Sequence, residues 1–200
     1  MSIEEIIFRA NQLCNEWQAT QAAKIVSYVT NSPHPIAWRL PKQNALKCNA
    51  DAAFIPESRH AGIAWIVRDQ YGRNKGGKLS VVQGIFNLFL AEARGFREAL
   101  SWVKDRGYDC PIEFETDSMM VVQAIQGLKV DNSYFGSIIS YFKALLQELT
   151  SFSFSFVKKS ANQCAHLLAR AAISKSGFLE WGETPPNLIS DVLSFDLINI

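Results

Sequence analysis

Residues 46–68 read LKCNADAAFIPESRHAGIAWIVR, and the fold turns on how that stretch is parsed. Two apolar runs, Leu46–Phe54 and Ala61–Arg68, flank a turn-rich PESRH. Both runs have the length and the flanking turn residues of strands. So short a connection joins antiparallel neighbours, because parallel strands need a crossover of about a dozen residues or more. Inside the first run stands Asp51, a carboxylate in a segment otherwise built for burial. Carboxylates are rarely buried without a cation to hold them.

Working outward, DQYGRNKGG supplies Gly72, Gly76 and Gly77 for a second turn before a third strand, Lys78–Gln83. Leu88, Phe89, Phe96, Ala99, Leu100 and Val103 then recur at helical spacing. The spacing predicts a helix from about Leu88 to Arg106, ended by Gly107. Glu92 falls inside its apolar stripe, whereas Arg94, Arg97 and Glu98 fall off it. Ile112–Thr116 reads as a fourth strand that runs through Asp117 into a short helix capped by Ser118. Ser133–Leu149 is a further helix, and SFSFSFV alternates as a fifth strand. Ser160 and Gln163 have capping-box spacing and open a last helix to about Ile173.

The flanks differ in character. Ser2 and Glu5 form another capping-box pattern, followed by Ile6, Ala10, Leu13 and Trp17 at helical spacing. An amphipathic helix to about Val29 is expected, packing on the main domain or on a protein partner. NSPHPIAWRLPKQ holds three prolines and reads as an extended linker. WGETPPNLISDVL, near the C-terminus, is expected to drape over the surface. The chain thus divides into residues 1–43 (helix and linker), 44–175 (main domain) and 176–200 (tail). The order β-β-β-α-β-α-α-β-α predicts an α/β domain, a mixed sheet with helices packed on it.

Composition is that of an ordinary globular chain, 48% hydrophobic and 20% charged, with a net charge of +1 that advertises no polyanion binder. The charge is unevenly placed. Arg59 to Lys78 carries five basic residues against one acid, and Glu180 to Ile200 carries four acids with no Lys or Arg. Such asymmetry suggests a basic working surface, or simply solvated charge. Cys14, Cys48, Cys110 and Cys164 have no zinc-like spacing and sit in apolar segments, as reduced buried thiols do. No signal peptide and no apolar run long enough to span a bilayer is visible, so an intracellular (nuclear or cytoplasmic), non-secreted and non-membrane chain is expected.

Asp51, Glu92, Asp117 and His166 are the candidate site. Each has an ordinary alternative: a turn-preceding aspartate, a stripe-edge glutamate reaching water, a helix-capping aspartate and a helix histidine bonded to backbone. Together they place three carboxylates and an imidazole at the ends of core elements, with no Lys or Arg partner in the same segments, and the missing cation is then a metal. Asn162 lies four residues before His166 on the same helical face, suited to orienting it, meeting a substrate or capping the helix. Lys158, Lys159 and Arg170 are candidate phosphate contacts.

CNADAAF, AGIAWIVRDQYGR, LAEARGFREAL, FETDS and ANQCAHLLA, in that order and spacing, resemble the ribonuclease H domain of type I. More narrowly, they resemble the version at the C-terminal end of plant non-LTR retroelement reverse transcriptases and its stand-alone relatives. The resemblance covers roughly residues 44–175 and implies a five-stranded mixed sheet, three antiparallel strands and then parallel ones, with flanking helices. It implies that Asp51 is the central bridging metal ligand, that Glu92 and Asp117 are the next two, and that His166 stands where a fourth acidic ligand is usual. Two Mg²⁺ ions are the implied cofactor, with Mn²⁺ better suited to an imidazole. The loop VKKSANQ is short and lacks the glycine-flanked histidine of bacterial-type members, and GLKVDNS carries a single lysine.

The function implied is metal-dependent hydrolysis of the RNA strand of RNA–DNA hybrids. The alternative is a catalytically weak or inactive module, derived from a retroelement, that binds nucleic acid or protein. A nuclease acting on structured DNA or RNA without a hybrid requirement is a third.

Overall fold

The structure, a computed structural model, describes residues 36–127, 133–149, 151–175 and 177–199. The expected N-terminal helix, Cys14 and most of GLKVDNS lie outside the described residues. Strands β1 (Leu46–Ile55), β2 (His60–Arg68) and β3 (Asn74–Gln83) form an antiparallel meander. Then follow helix α1 (Leu88–Asp105), strand β4 (Ile112–Thr116), helices α2 (Met119–Gln126) and α3 (Tyr134–Gln147), and strand β5 (Phe152–Phe156). Helix α4 (Gln163–Lys175), strand β6 (Leu179–Trp181) and helix α5 (Ser190–Ile198) complete the chain. The sheet order is β5-β4-β1-β2-β3-β6, with β4 parallel to both β1 and β5. Among the described residues no helix is long and apolar enough to cross a membrane.

Both faces of the sheet are covered. Leu46, Cys48, Ala50 and Ala52 of β1 face the larger core with α1, α2 and α3, where Phe96 meets Phe114, Phe142 and Phe154 at centroid distances of 6.0, 5.8 and 4.8 Å. Ala64, Ile66 and Leu79 face a smaller core built by Cys164, Leu168, Ala169 and Ala172 of α4 with Trp181 and Ile189. Cys48 and Cys164 are free buried thiols, as expected, and burial pushes the Cys164 thiol up to about 12. Two glycines let the helices come close. A Cβ on Gly62 of β2 would stand 2.1 Å from the Ala169 carbonyl oxygen of α4, and one on Gly95 of α1 would stand 3.2 Å from the Ile63 side chain.

Four sequence expectations are corrected. The sheet has six strands, not five, because Leu179–Trp181 pairs antiparallel with Gly77–Leu79 at the edge. The C-terminal segment does not drape loosely: Trp181 and Ile189 are core residues, and Asp196 is buried. The charge asymmetry is the signature of that docking. Arg68 pairs with Asp196 at 2.6 Å, Lys75 with Glu183 at 2.6 Å, and Trp102 and Arg106 both donate to Glu180. Two of the five basic residues in the stretch, Arg68 and Lys75, are thus taken up by the tail, while Arg59 and Arg73 stay exposed. The capping box at Ser160 does not form either: Ser160 donates to the Ile36 carbonyl and Gln163 to that of Lys159, across a short 3₁₀ turn at Lys159–Ala161. Finally, Leu88 is 45% exposed, so the buried stripe of α1 starts at Leu90.

The proline-rich lead-in is anchored at its end. Trp38 is buried, donates to Asn49 Oδ1 at 3.0 Å, and carries the Arg68 guanidinium 3.6 Å above its ring. Asn49 also accepts from Arg68 at 3.1 Å and donates to Glu115 at 2.9 Å, while Lys47 donates to Glu115 at 2.6 Å. Polar groups removed from water are tolerable here because they satisfy one another.

Candidate active site

The β1–β4 ladder sets the site. Its parallel register runs from Leu46 opposite Ile112 to Asn49 opposite Glu115 and then stops. Continued two residues further, it would bring Asp51 opposite Asp117, so the site begins where the backbone pairing ends. Asp51 is buried on the α4 face of β1. Asp117 follows the last residue of β4, and Ser118 caps α2 by accepting from the Val121 amide. That cap gives the chain a sharp turn directly after the carboxylate. Glu92 reaches the same region from the second turn of α1, the helix that Gly95 allows to lie close against β1 and β2.

The three carboxylates lie near enough to feel one another's charge. Burial pushes the Glu92 carboxyl up to about 8, with the charges of Asp51 and Asp117 adding to the shift. Asp117 is also held above its usual range by burial and then by Asp51, offset by the amide of Asn162 and by His166. Among the described residues no Lys or Arg forms an ion pair with any of the three, and the ion-pair contact is His166 Nδ1 to Asp51 Oδ2 at 2.8 Å.

Helix α4 and the residue just before it therefore deliver two contacts one turn apart. His166 meets Asp51, and Asn162 donates to Asp117 Oδ1 at 2.8 Å and to the Ala50 carbonyl at 3.0 Å. Asn162 is 1% exposed, inside the cluster and away from solvent. Lys158, Lys159 and Arg170 are exposed, the first two just before α4 and Arg170 one turn beyond His166. The sequence marked all four cluster residues and Asn162. It gave no sign of the Ala50 carbonyl, since a backbone acceptor carries no residue signature.

Hard oxygen donors crowded by their own charge suit a divalent cation, which would offset both the burial and the repulsion that hold the Glu92 carboxyl up. The donor set fits such an ion in chemistry. As the side chains stand, no three of the His, Cys, Asp and Glu groups among the described residues form a ready coordination shell. Asp51 is turned to His166 and Asp117 to Asn162.

The same architecture recurs in known proteins. Ribonuclease H1 from the halophilic archaeon Halobacterium salinarum NRC-1 is 21% identical with a TM-score of 0.60, over 66% of this chain and 98% of that one. LC11 ribonuclease H1, solved in complex with an RNA/DNA hybrid, is 20% identical with a TM-score of 0.59, over 66% and 98%. The N-terminal ribonuclease H domain of a Mycobacterium tuberculosis protein is 18% identical with a TM-score of 0.59, over 67% and 96%. No curated protein matches the chain. The family model described as reverse transcriptase-like matches residues 49–172, which include Asp51, Glu92, Asp117 and His166. With more than half of its length matched and the fold of the ribonucleases H1 around the carboxylate cluster, the chain belongs to the reverse transcriptase-like family.

Proposed function

We propose that the protein is a metal-dependent endonuclease that hydrolyses the RNA strand of RNA–DNA hybrids. The observation that carries this reading is the cluster of buried Asp51 with half-buried Glu92 and Asp117, in which burial and then the charges of Asp51 and Asp117 push Glu92 up to about 8. Those three would hold two divalent ions, Mg²⁺ or Mn²⁺, with His166 at the fourth position. Bound there, the ions would supply charge neutralisation at a phosphodiester and a water of lowered pKa.

The chain's own contribution is geometric. Asp51 is fixed on β1 and held by His166, Asp117 is held by Asn162, and Glu92 rides a helix packed tightly on the sheet. Lys158, Lys159 and Arg170 stand exposed on the α4 side, where they would meet the phosphates of a bound duplex. Recognition would rest on hybrid shape and 2′-hydroxyls instead of base sequence.

A second reading, a catalytically weak or inactive binding module, is favoured by the engagement of Asp51 with His166 and of Asp117 with Asn162. One experiment separates the two. Purified wild type and Asp51→Asn are incubated with end-labelled hybrid, duplex DNA and duplex RNA, in Mg²⁺ and then Mn²⁺. The amide is nearly isosteric, so the variant is expected to fold and to lose hybrid cleavage by more than the roughly 100-fold that an outer contact is worth. Wild type that binds hybrid without cutting it in either metal would sustain the binding-module reading and sink the first.

A further inference from the structure

We infer that Asn162 is a positioning residue for the proposed metal site, holding Asp117 by one oxygen and leaving the other for a divalent cation. This rests on the reading of the carboxylate cluster as a metal centre. The first observation is where the contact falls. The β1–β4 ladder ends at Asn49 and Glu115, two residues short of Asp51 and Asp117. Beyond that point no backbone pairing fixes the two strand ends relative to each other. The Asn162 amide spans that gap, donating one hydrogen to the Ala50 carbonyl of β1 and the other to Asp117 Oδ1 after β4. It replaces the missing rung of the ladder at the place where two carboxylates would otherwise drive the strands apart.

The second observation is the orientation of the amide. A flipped amide would set its oxygen against two other oxygens, so the bonding partners fix the nitrogen toward Asp117. In that orientation Asn162 Oδ1 is buried with no partner. An orphaned buried carbonyl is destabilising, and an apolar residue filling the same space would avoid it. The fold accepts the orphan and keeps both donors on the cluster. Asn162 is 1% exposed, which removes it from the reach of a substrate lying on the surface. His166, one turn on, contacts Asp51, so the N-terminal end of α4 and the residue before it serve both aspartates.

The test is Mn²⁺ affinity by isothermal titration calorimetry on full-length protein, with thermal melts alongside. Asn162→Ala removes both donors and is expected to weaken Mn²⁺ binding roughly 10–100-fold, the usual range for a residue that orients a ligand. Asp196→Ala, which destabilises the fold without removing a hydrogen-bond partner of Asp51 or Asp117, serves as the comparison and should keep wild-type affinity. Should Asn162→Ala fail to fold, Asn162→Ser decides: its hydroxyl is too short to span both acceptors, so a similar loss is expected. The inference is overturned if the folded Asn162 variants bind Mn²⁺ within about twofold of wild type, or if Asp196→Ala loses as much as they do. Wild type that binds no Mn²⁺ would sink the metal-site reading itself, an outcome distinct from a wild type that binds and an Asn162 variant that binds equally.

Discussion

Glu92→Gln should make the metal-free protein more stable at alkaline pH, although it removes a residue of the proposed active site. The folded carboxyl titrates at about 8 against an ordinary value of 4.5, because burial and the charges of Asp51 and Asp117 oppose its ionisation. A folded value above the unfolded one means that protons are bound in the native state and released on unfolding. The resulting stabilisation is complete below about 4.5 and is lost as pH rises through about 8. At 1.36 kcal/mol per pH unit, the gap between the two values sets a ceiling of about 5 kcal/mol. Side-chain relaxation and water entry reduce it to an expected loss on the order of 1–3 kcal/mol.

A neutral Gln removes this titration. Wild type and variant should therefore melt close together at pH 5 and diverge by pH 9, with the variant higher by roughly 2–12 °C at the usual 2–4 °C per kcal/mol for a chain of this size. Circular-dichroism melts in excess chelator at pH 5, 7 and 9 measure this directly. Saturating Mn²⁺ should reverse the order, since binding stabilises wild type in proportion to its affinity and the variant lacks one ligand. A constant difference across pH, or a variant less stable than wild type at pH 9 without metal, would refute the claim that Glu92 is strained by its neighbours.

The remaining expectations test other parts of the fold and site. Asp196→Ala leaves the Arg68 guanidinium, at 2% side-chain exposure, buried without its partner; urea melts should show a loss of about 3–5 kcal/mol. Gly62→Ala drives a methyl group against the Ala169 carbonyl, 2.1 Å away. It should cost about 1–3 kcal/mol and, by lifting α4, weaken Mn²⁺ binding in the same titration. His166→Ala should lower Mn²⁺ affinity while sparing the fold, and His166→Asp should shift the preference toward Mg²⁺ by supplying a hard oxygen. Identical metal dependence in wild type and both His166 variants would remove His166 from the site.

The sequence alone carried the main domain. Strand alternation, the helical stripe around Phe96 and Leu100, and the cap at Ser118 are local signals, each written within one turn or one strand. They sufficed to lay out five strands and the order of helices. Five motif blocks then marked Asp51, Glu92, Asp117 and His166 before any contact between them was known. What failed was the reading of signals whose meaning lies far along the chain. The basic stretch at Arg59–Lys78 was legible as charge, but its partners stand more than a hundred residues away, at 183 for Lys75 and 196 for Arg68. Strand β6 has three residues and borrows its order from β3, so no period of its own announced it.

The site divides the same way. Residue type and position identified the three carboxylates, because an acid inside an apolar segment is anomalous wherever the chain goes. Their protonation could not be read from the sequence. Glu92 binds a proton near neutrality only because α1 packs it beside Asp51 and Asp117 in a space with little water. Nor could the sequence decide what Asn162 does, since capping, substrate contact and orientation all suit an asparagine at that spacing. The tertiary structure decided where its amide goes: across the gap at the end of the β1–β4 ladder, onto the Ala50 carbonyl and Asp117. Local propensity and pattern are properties of neighbours along the chain, whereas desolvation and ligand orientation are properties of neighbours in space, and only folding makes the second set.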